Sequence, residues 1–367
     1  MKNNFKYLIS GGGTGGHIFP ALAIAQEIER RDPNAQFLFV GAYDRMEMQK
    51  IPEAGYAIKG LWISGFQRSK MLKNLSIPLK LIWSLVHAFF IVVRYQPSVV
   101  IGTGGYASGP LLWMASLLNI PTLIQEQNSF PGITNKILGT KVSRICVAYK
   151  GLEKFFPKKK IAITGNPIRS EIEHNVYDVG EVFSSFGFTQ SKPLVVVVGG
   201  SLGAKRINET ISKNISWFKE NEVQLIWQTG SLYYERFKSA KQDLGALGAI
   251  VPFLGNMGAV LTAADVVISR AGALALSELC ALGKPSILVP SPNVAEDHQK
   301  KNAMALANNR AAVLVEEVEI DRQLFYELNE LIQDKDKQCL LSESAKQLYR
   351  PDATEKIVDI IEEIKNG

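Results

Sequence analysis

The stretch SGGGTGGHIFPALAIAQEI, residues 10–28, decides the fold of this chain. Five glycines, one threonine and one histidine stand in its first eight residues, and a helix-like apolar segment follows. Glycines allow positive φ and close backbone approach, and the N–H groups at a helix start attract anions. The pattern therefore predicts a strand, an anion-binding glycine turn and a helix with Pro20 in its first turn.

The glycine spacing by itself does not identify a dinucleotide site. Gly11, Gly13 and Gly16 satisfy G-x-G-x-x-G, but a dinucleotide enzyme needs an acidic residue at the end of its second strand. That strand is FLFV, residues 37–40, and the first acid after it, Asp44, comes late. The G-K-S/T of a P-loop is also missing. An NAD-dependent oxidoreductase is therefore the weaker reading.

Short apolar runs alternate with helix-like segments along all 367 residues. Runs such as LVVVV lack polar alternation, which is typical of strands covered on both faces of a parallel sheet. The glycine turn recurs as GGSLGAKR, residues 199–206, and as GTGGYASGP, residues 102–110. We therefore expect an α/β chain of two Rossmann-like domains whose parallel sheets face an interdomain cleft. The expected domains are residues 1–166, to which a C-terminal helix of about 348–367 returns, and residues 167–347.

Charge is distributed unevenly along the chain. Residues 1–165 hold 20 Lys and Arg against 8 Asp and Glu, whereas residues 166–367 hold 21 against 27. A basic half indicates an anionic partner, either nucleic acid or a lipid surface. The three cysteines are far apart, which argues against a zinc site and fits a reducing compartment. The N-terminal apolar run is too short for a signal peptide, so we expect a cytosolic protein.

Eight segments together resemble one known family. In chain order they read GGGTGGHIFPALAIA, DRMEM, GTGGYASGP, QEQNSFPGITNK, GNPIR, GGSLGA, SRAGALALSE and GKPSILVPSP…DHQKKNA. The series is similar to that of the MurG family of bacterial peptidoglycan glycosyltransferases, from Gly11 to Thr354. The resemblance implies the two-domain GT-B fold. Gln125 departs from the family pattern, because a histidine is common there, so a histidine at this position is not needed for the chemistry.

The resemblance implies an inverting transfer of N-acetylglucosamine (GlcNAc) from UDP-GlcNAc during peptidoglycan synthesis. The acceptor is the 4-hydroxyl of N-acetylmuramic acid (MurNAc) in undecaprenyl-diphospho-MurNAc-pentapeptide. The residues that it places at the substrates are Thr14, Gly15 and Gly16 (transferred sugar and acceptor diphosphate), Asn128 (donor sugar), Arg169 and Ser201 (donor diphosphate), the Leu254 backbone (uracil), the helix start Ala273, Leu274, Ala275, Leu276, Ser277 and Glu278 (ribose at Glu278), and Gln299 (sugar hydroxyls).

Two residues are candidate general bases for the acceptor hydroxyl. His17 closes the first glycine turn, and imidazole is the side chain that exchanges a proton near neutral pH. Glu126 is the second candidate, with a structural carboxylate that caps a neighbouring turn as the alternative. Arg169 and helix N-termini would stabilise the leaving UDP, so we expect neither a cofactor nor a metal. The only D-x-D pattern, Asp334–Lys335–Asp336, reads as a solvated face.

The segment LSIPLKLIWSLVHAFFIVVRYQP, residues 75–97, is apolar but too short and too interrupted to be expected to span a bilayer. Basic residues flank it, among them Arg68, Lys70, Lys73 and Arg94. We expect Leu79 and Trp83 to touch the anionic cytoplasmic leaflet, which makes the enzyme a peripheral protein of the inner membrane. The expected partners are the two substrates, this membrane surface and a cell-wall or division complex. We do not expect nucleic acid as a partner.

Other functions stay open at this stage. A UDP-GlcNAc epimerase or a glycolipid glycosyltransferase has the same fold, and fold does not fix function. A non-enzymatic membrane or nucleic-acid binder would explain the charge distribution, but it would leave His17, Arg169 and Glu278 without a role.

Overall fold

A computed structural model describes residues 5–65, 76–173, 177–200 and 202–366 of the chain. The contacts divide the protein into two compact units. Unit 1 consists of Met1–Ile168 together with Asp352–Gly367, and unit 2 is Arg169–Pro351. Unit 2 is thus one continuous segment, and the last helix of the chain belongs to unit 1.

Thirteen strands are present in the described ranges. Those of unit 1 are β1 (Lys6–Gly11), β2 (Gln36–Ala42), β3 (Ile58–Leu61), β4 (Val99–Gly104), β5 (Thr122–Glu126), β6 (Arg144–Val147) and β7 (Ile161–Ile163). Those of unit 2 are β8 (Leu194–Val198), β9 (Gln224–Gln228), β10 (Gly248–Val251), β11 (Val266–Ser269), β12 (Ser286–Leu288) and β13 (Val313–Leu314).

The α-helices of the described ranges follow the strands in alternation. They are α1 (Gly15–Arg31), α2 (Glu47–Glu53), α3 (Ile77–Tyr95), α4 (Ser108–Leu117), α5 (Ile133–Leu138), α6 (Ser170–Glu173), α7 (Val179–Phe186), α8 (Lys205–Lys213), α9 (Ile215–Glu220), α10 (Tyr234–Phe237), α11 (Ala240–Leu244), α12 (Met257–Ala263), α13 (Ala273–Leu282), α14 (His298–Ala307), α15 (Ile320–Gln333), α16 (Lys335–Leu348) and α17 (Ala353–Asn366).

Each unit contains one parallel sheet. The order in unit 1 is β3-β2-β1-β4-β5-β6-β7, and in unit 2 it is β10-β9-β8-β11-β12-β13. Every pairing among these strands is parallel. Both orders contain the doubly wound 3-2-1-4-5-6 series, whose order reverses between β1 and β4 and between β8 and β11. The predicted fold class, two Rossmann-like domains with parallel sheets, is confirmed.

The order of the strands also indicates where ligands would bind. In open parallel sheets, ligands bind outside the carboxyl ends of the strands where the strand order reverses. In unit 1 this point carries the turn after β1, whose Gly12 N–H donates to the carbonyl of Gly104 at 3.3 Å. In unit 2 it carries the turn after β8 and the segment after β11, where the Arg270 N–H donates to the carbonyl of Val198 at 3.4 Å.

The C-terminal helix α17 belongs to the core of unit 1. Its Ile357, Val358 and Ile361 are fully buried in the same apolar cluster as the inner face of α1. Arg31 at the end of α1 also forms an ion pair with Asp359, with Nη1 and Oδ1 2.6 Å apart. Because burying an aliphatic side chain contributes about 1.5–3 kcal/mol, these contacts hold α17 on α1.

Candidate active site

His17 lies in the first turn of α1. Thr14 is extended, with φ −149° and ψ 159°. Its carbonyl accepts the N–H groups of His17 at 3.1 Å and of Ile18 at 3.2 Å, so the helix begins at Gly15. Pro20 is therefore inside the helix, and the prediction that it would occupy the first turn was wrong. The helix starts earlier because the Thr14 carbonyl, and not the proline, fixes its first hydrogen bonds.

The imidazole of His17 is fixed by two acceptors on other elements. Its Nδ1 lies 2.9 Å from the carbonyl oxygen of Thr103 in β4 and 3.1 Å from Oε1 of Gln127 after β5. A carbonyl oxygen can only accept a hydrogen bond, so Nδ1 carries the proton of the neutral ring. The lone pair of the neutral ring is then on Nε2. Sequence reasoning selected His17 but did not find Thr103 or Gln127.

Two glycines are needed to make room for this histidine. A Cβ at Gly104 would lie 2.6 Å from His17 Nδ1, and Gly104 has a φ of +109°. A Cβ at Gly11 would lie 2.0 Å from Thr103 Oγ1 and 2.6 Å from the His17 carbonyl oxygen. Packing inside unit 1 therefore accounts for part of the glycine pattern that the sequence assigned to ligand binding.

Glu47, at the start of α2, forms a hydrogen bond with the first glycine turn. Its buried carboxylate accepts the N–H of Gly13 at 2.7 Å and the N–H of Ala42, at the end of β2, at 3.0 Å. A Cβ at Gly12 would lie 2.2 Å from Glu47 Oε1. The turn thus binds a carboxylate of its own protein. Sequence analysis missed this residue, although its place just after β2, in DRMEM, was a usable signal.

Glu126 and Asn128, both predicted site residues, contact each other. Glu126 is 1% exposed, and its Oε1 accepts the Asn128 N–H and side-chain Nδ2–H, each at 3.0 Å. Its Oε2 accepts the Gly132 N–H at 3.1 Å and Asn135 Nδ2–H at 2.8 Å. Four donors on one carboxylate fix the turn that follows β5.

In unit 2 two predicted ligand residues form an ion pair with each other. Arg169 Nε lies 3.1 Å from Glu278 Oε1, and Glu278 is buried whereas Arg169 is 44% exposed. Burial raises the pKa of the Glu278 carboxyl above its ordinary value, and the charge of Arg169 opposes this shift.

The predicted helix start ALALSE forms the first turns of α13. Gly272 is extended and precedes the helix, and Ser277 Oγ donates to the Ala273 carbonyl at 3.1 Å. Leu276 is fully buried, whereas Leu274 and Ala275 are half-buried. The first N–H groups of an α-helix have no partner within it, so this end of α13 attracts negative charge.

The other residues of unit 2 predicted to bind substrate, Leu254 and Gln299, form hydrogen bonds with residues near the carboxyl ends of the strands. The Leu254 N–H donates to Gln228 Oε1 at 3.0 Å, and Gln228 Nε2 donates to the Gly200 carbonyl at 3.1 Å. Gln299 Oε1 accepts the Ser291 N–H at 2.9 Å. Ser201 lies outside the described residues.

Leu79 and Trp83 are on the outer face of α3, where they are 62% and 59% exposed. The opposite face, with Ser84, Ala88 and Val92, is buried in unit 1. Within the described ranges, α3 alone has the length and apolar composition of a membrane span. The helix has 19 residues and meets that test by length and composition only, while one of its faces packs inside unit 1. The expectation from sequence that the segment does not span a bilayer stays a prediction.

Comparisons with known proteins agree with this arrangement. Residues 7–147 match the glycosyltransferase family 28 N-terminal domain, and residues 194–364 match the glycosyltransferase family 28 C-terminal domain. A relative from Flavobacterium psychrophilum, named UDP-N-acetylglucosamine–N-acetylmuramyl-(pentapeptide) pyrophosphoryl-undecaprenol N-acetylglucosamine transferase, is 52% identical over 97% of each chain.

Two solved structures are similar as well. MurG of Acinetobacter baumannii is 27% identical, with a TM-score of 0.78 over 98% of this chain and 99% of that chain. A UDP-N-acetylglucosamine 2-epimerase is 12% identical, with a TM-score of 0.66 over 98% of this chain and 96% of that chain. The second likeness shows the fold alone.

The two Rossmann-like units have the GT-B fold, and the matched family 28 domains make the protein a glycosyltransferase. The chain belongs to the MurG family of UDP-GlcNAc-dependent transferases, as its full-length relatives show. The resemblance seen in the sequence motifs is thereby confirmed.

Proposed function

We propose that this protein transfers GlcNAc from UDP-GlcNAc, with inversion, to the 4-hydroxyl of MurNAc in undecaprenyl-diphospho-MurNAc-pentapeptide. The full-length relative at 52% identity, named for this transfer, is the observation that carries the proposal. The reaction is one step of peptidoglycan synthesis. Unit 2 receives the UDP-GlcNAc, and unit 1 receives the lipid-linked acceptor.

In unit 1, His17 acts as the general base. The MurNAc O4 attacks C1 of GlcNAc while the O4 proton passes to Nε2 of His17. The geometry that supports this role is the contact of Nδ1 with Thr103 O at 2.9 Å, because a proton on Nδ1 leaves the lone pair of the neutral ring on Nε2. Thr14, Gly15 and Gly16 lie in and next to the same helical turn, and we assign them to the acceptor diphosphate and the sugar.

Glu126 is assigned a positioning role instead of that of a base. Its carboxylate accepts four hydrogen bonds from the turn after β5, and a base would need one oxygen directed at the acceptor hydroxyl. Through the Asn128 contact, Glu126 orients the amide that we assign to the donor sugar.

In unit 2, charge develops on UDP as the bond from C1 to the phosphate oxygen breaks and its electron pair leaves with the nucleotide. The Arg169 guanidinium and the N-terminus of α13, Ala273–Leu282, stabilise that charge. Ser201 is assigned to the same diphosphate, and Glu278 accepts the ribose hydroxyls. Leu254 and Gln299 are assigned to uracil and to sugar hydroxyls.

We assign helix α3 to contact with the anionic cytoplasmic surface of the inner membrane. Leu79, Trp83 and Phe90 form an exposed apolar face, and the buried Ser84 face keeps the helix part of unit 1. Arg94, near the end of this helix, adds positive charge of the kind that anionic lipids attract.

The reaction is tested with radiolabelled UDP-GlcNAc and a lipid-linked MurNAc-pentapeptide acceptor. Label should move into the butanol-extracted lipid product, and His17→Gln should lower kcat by about 100-fold or more, as loss of a general base does. Conversion of UDP-GlcNAc to its 2-epimer without acceptor, and with no lipid product, would show an epimerase instead.

A further inference from the structure

Behind His17 lies a row of buried side-chain amides that the proposed mechanism does not use. Gln127, Gln125 and Asn166 are all buried, at the carboxyl ends of β5 and β7. Burial of three neutral amides is costly unless their hydrogen bonds are satisfied, so their partners determine how each one is oriented.

The orientation of the Gln127 amide follows from its neighbours. Its Nε2 donates to the Thr103 carbonyl at 2.6 Å and to the Gln125 carbonyl at 3.2 Å, and it also contacts Gln125 Oε1. All three neighbours are oxygens, so the NH2 group must be on that side of the amide. The carbonyl oxygen Oε1 is then the atom that faces His17 Nδ1, 3.1 Å away.

The next amides in the row fix Gln127 in turn. Gln125 Nε2 donates to Asn166 Oδ1 at 2.9 Å, so Gln125 presents its own Oε1 to Gln127. Asn166 Nδ2 donates to the Gln127 main-chain carbonyl at 3.0 Å. These hydrogen bonds leave Gln127 Oε1, an acceptor, as the atom of the row that faces His17.

From this geometry we infer that Gln127 is a positioning residue that holds His17 in the Nδ1–H tautomer, and that Gln125 and Asn166 fix the Gln127 amide. The inference rests on the proposed role of His17 as a base, because its use is to keep the lone pair on Nε2. A neutral amide stands where other general-base histidines are oriented by a carboxylate. The row therefore orients the ring without adding a charge to it.

The tautomer can be read directly by ¹⁵N NMR of the imidazole nitrogens in the full-length protein. The chain has only four histidines, and the His17 signals are those that disappear in His17→Gln. At a pH where the ring is neutral, we expect the protonated-nitrogen shift on Nδ1 and the lone-pair shift on Nε2. A wild-type ring protonated on Nε2 would overturn the inference, whatever the activity.

The role of Gln127 is tested with Gln127→Met, which keeps length and burial but removes the acceptor. The Thr103 carbonyl still faces Nδ1 in this variant, so we expect Nδ1–H to stay the major tautomer with an Nε2–H fraction beside it. We expect a kcat lower by about 10- to 100-fold, the range seen when an orienting partner of a metal-liganding histidine is lost. The KM for UDP-GlcNAc should stay unchanged.

Gln224→Met is the matched control. Gln224 is equally buried, in β9 of unit 2, where it bonds to Thr189 and Lys192. It should change neither the His17 tautomer nor kcat. An unchanged tautomer and kcat in Gln127→Met would refute the role of Gln127. If wild-type His17 carries its proton on Nδ1 but His17→Gln keeps full kcat, the tautomer assignment stands and the proposed base is wrong.

Discussion

Arg169 and Glu278 form an ion pair, with Nε 3.1 Å from Oε1, although the proposed mechanism assigns them to different parts of one nucleotide. Glu278 is buried at the second turn of α13, whereas Arg169 is partly exposed just before α6. In these roles, bound UDP replaces the contact between the two side chains. Glu278 then binds the ribose hydroxyls, and Arg169 binds the phosphate oxygens. Truncating one partner therefore affects both stability and nucleotide binding.

Glu278→Gln should gain stability relative to the wild type as pH rises. Burial raises the pKa of Glu278 in the folded state above its unfolded value, so its favourable contribution is present at low pH and is lost as pH rises through the folded pKa. The difference in Tm between variant and wild type, measured without nucleotide over the pH range in which both proteins stay folded, should move in favour of the variant as pH rises. UDP affinity of the variant should fall about 10-fold or more, because a charge-assisted hydrogen bond is lost.

The control for Glu278→Gln is Glu235→Gln, which changes an exposed carboxylate paired with Lys238 in the same unit. It should leave UDP binding unchanged. A Tm difference between Glu278→Gln and the wild type that is constant over the whole pH range would contradict the buried-carboxylate account.

Gly104→Ala should lower kcat strongly. A Cβ there would lie 2.6 Å from His17 Nδ1, so the ring must move, and a displacement of the order of 1 Å can cost about 100-fold in rate. The matched control is Gly55→Ala. Gly55 also has positive φ, +88°, but a Cβ there has no atom within 4 Å.

Both glycine substitutions should cost about 1–2 kcal/mol of folding stability for the left-handed backbone. Only Gly104→Ala should reduce kcat, measured at a temperature where both variants are folded. Equal kcat in the two variants would mean that the position of the His17 ring does not limit the rate.

Replacing Leu79 and Trp83 with serine should abolish flotation of the protein with anionic vesicles. The two side chains are 62% and 59% exposed and supply the apolar part of the membrane contact. Basic residues near an anionic membrane surface supply the electrostatic part, about 1 kcal/mol each. Val318→Ser, at a more exposed apolar residue of unit 2, should float as the wild type does. Equal wild-type binding to neutral and anionic vesicles, or none to either, would remove the electrostatic part of the proposal.

Transferase activity should survive EDTA. The groups assigned to the leaving UDP are the Arg169 guanidinium and the start of α13, which supply positive charge themselves. Asp334, in the only D-x-D pattern, caps α16 by accepting the Lys337 N–H at 2.8 Å. Initial rates with and without chelator provide the measurement, and Asp336→Asn should match the wild type. A loss of activity that added Mg²⁺ restores would contradict this expectation.

Local patterns predicted the fold because they depend on short-range physics. Uninterrupted apolar runs such as LVVVV form β8, and glycine turns follow β1, β4 and β8 as expected. The start of α1 was predicted less well. Pro20 is a plausible first-turn residue in isolation, but the Thr14 carbonyl begins the helix at Gly15.

The partners of the site residues could not be predicted in the same way. Glu47 is 34 residues from Gly13, and Gln127 is 110 residues from His17, so no local pattern connects them. Parallel strand pairing brings the carboxyl ends of β1, β2, β4 and β5 to one edge of the sheet, and their side chains meet there.

The amino-acid sequence by itself determined the α/β class, the doubly repeated glycine-turn design and the family, since motif order and strand periodicity are properties of the chain. Only the tertiary structure decided which oxygens face Nδ1 of His17, that Glu126 is bound by its own turn, and that Arg169 pairs with Glu278. Those outcomes depend on atoms that are distant in the chain and close in space. Hydrogen bonds act over about 3 Å, so only folding defines them.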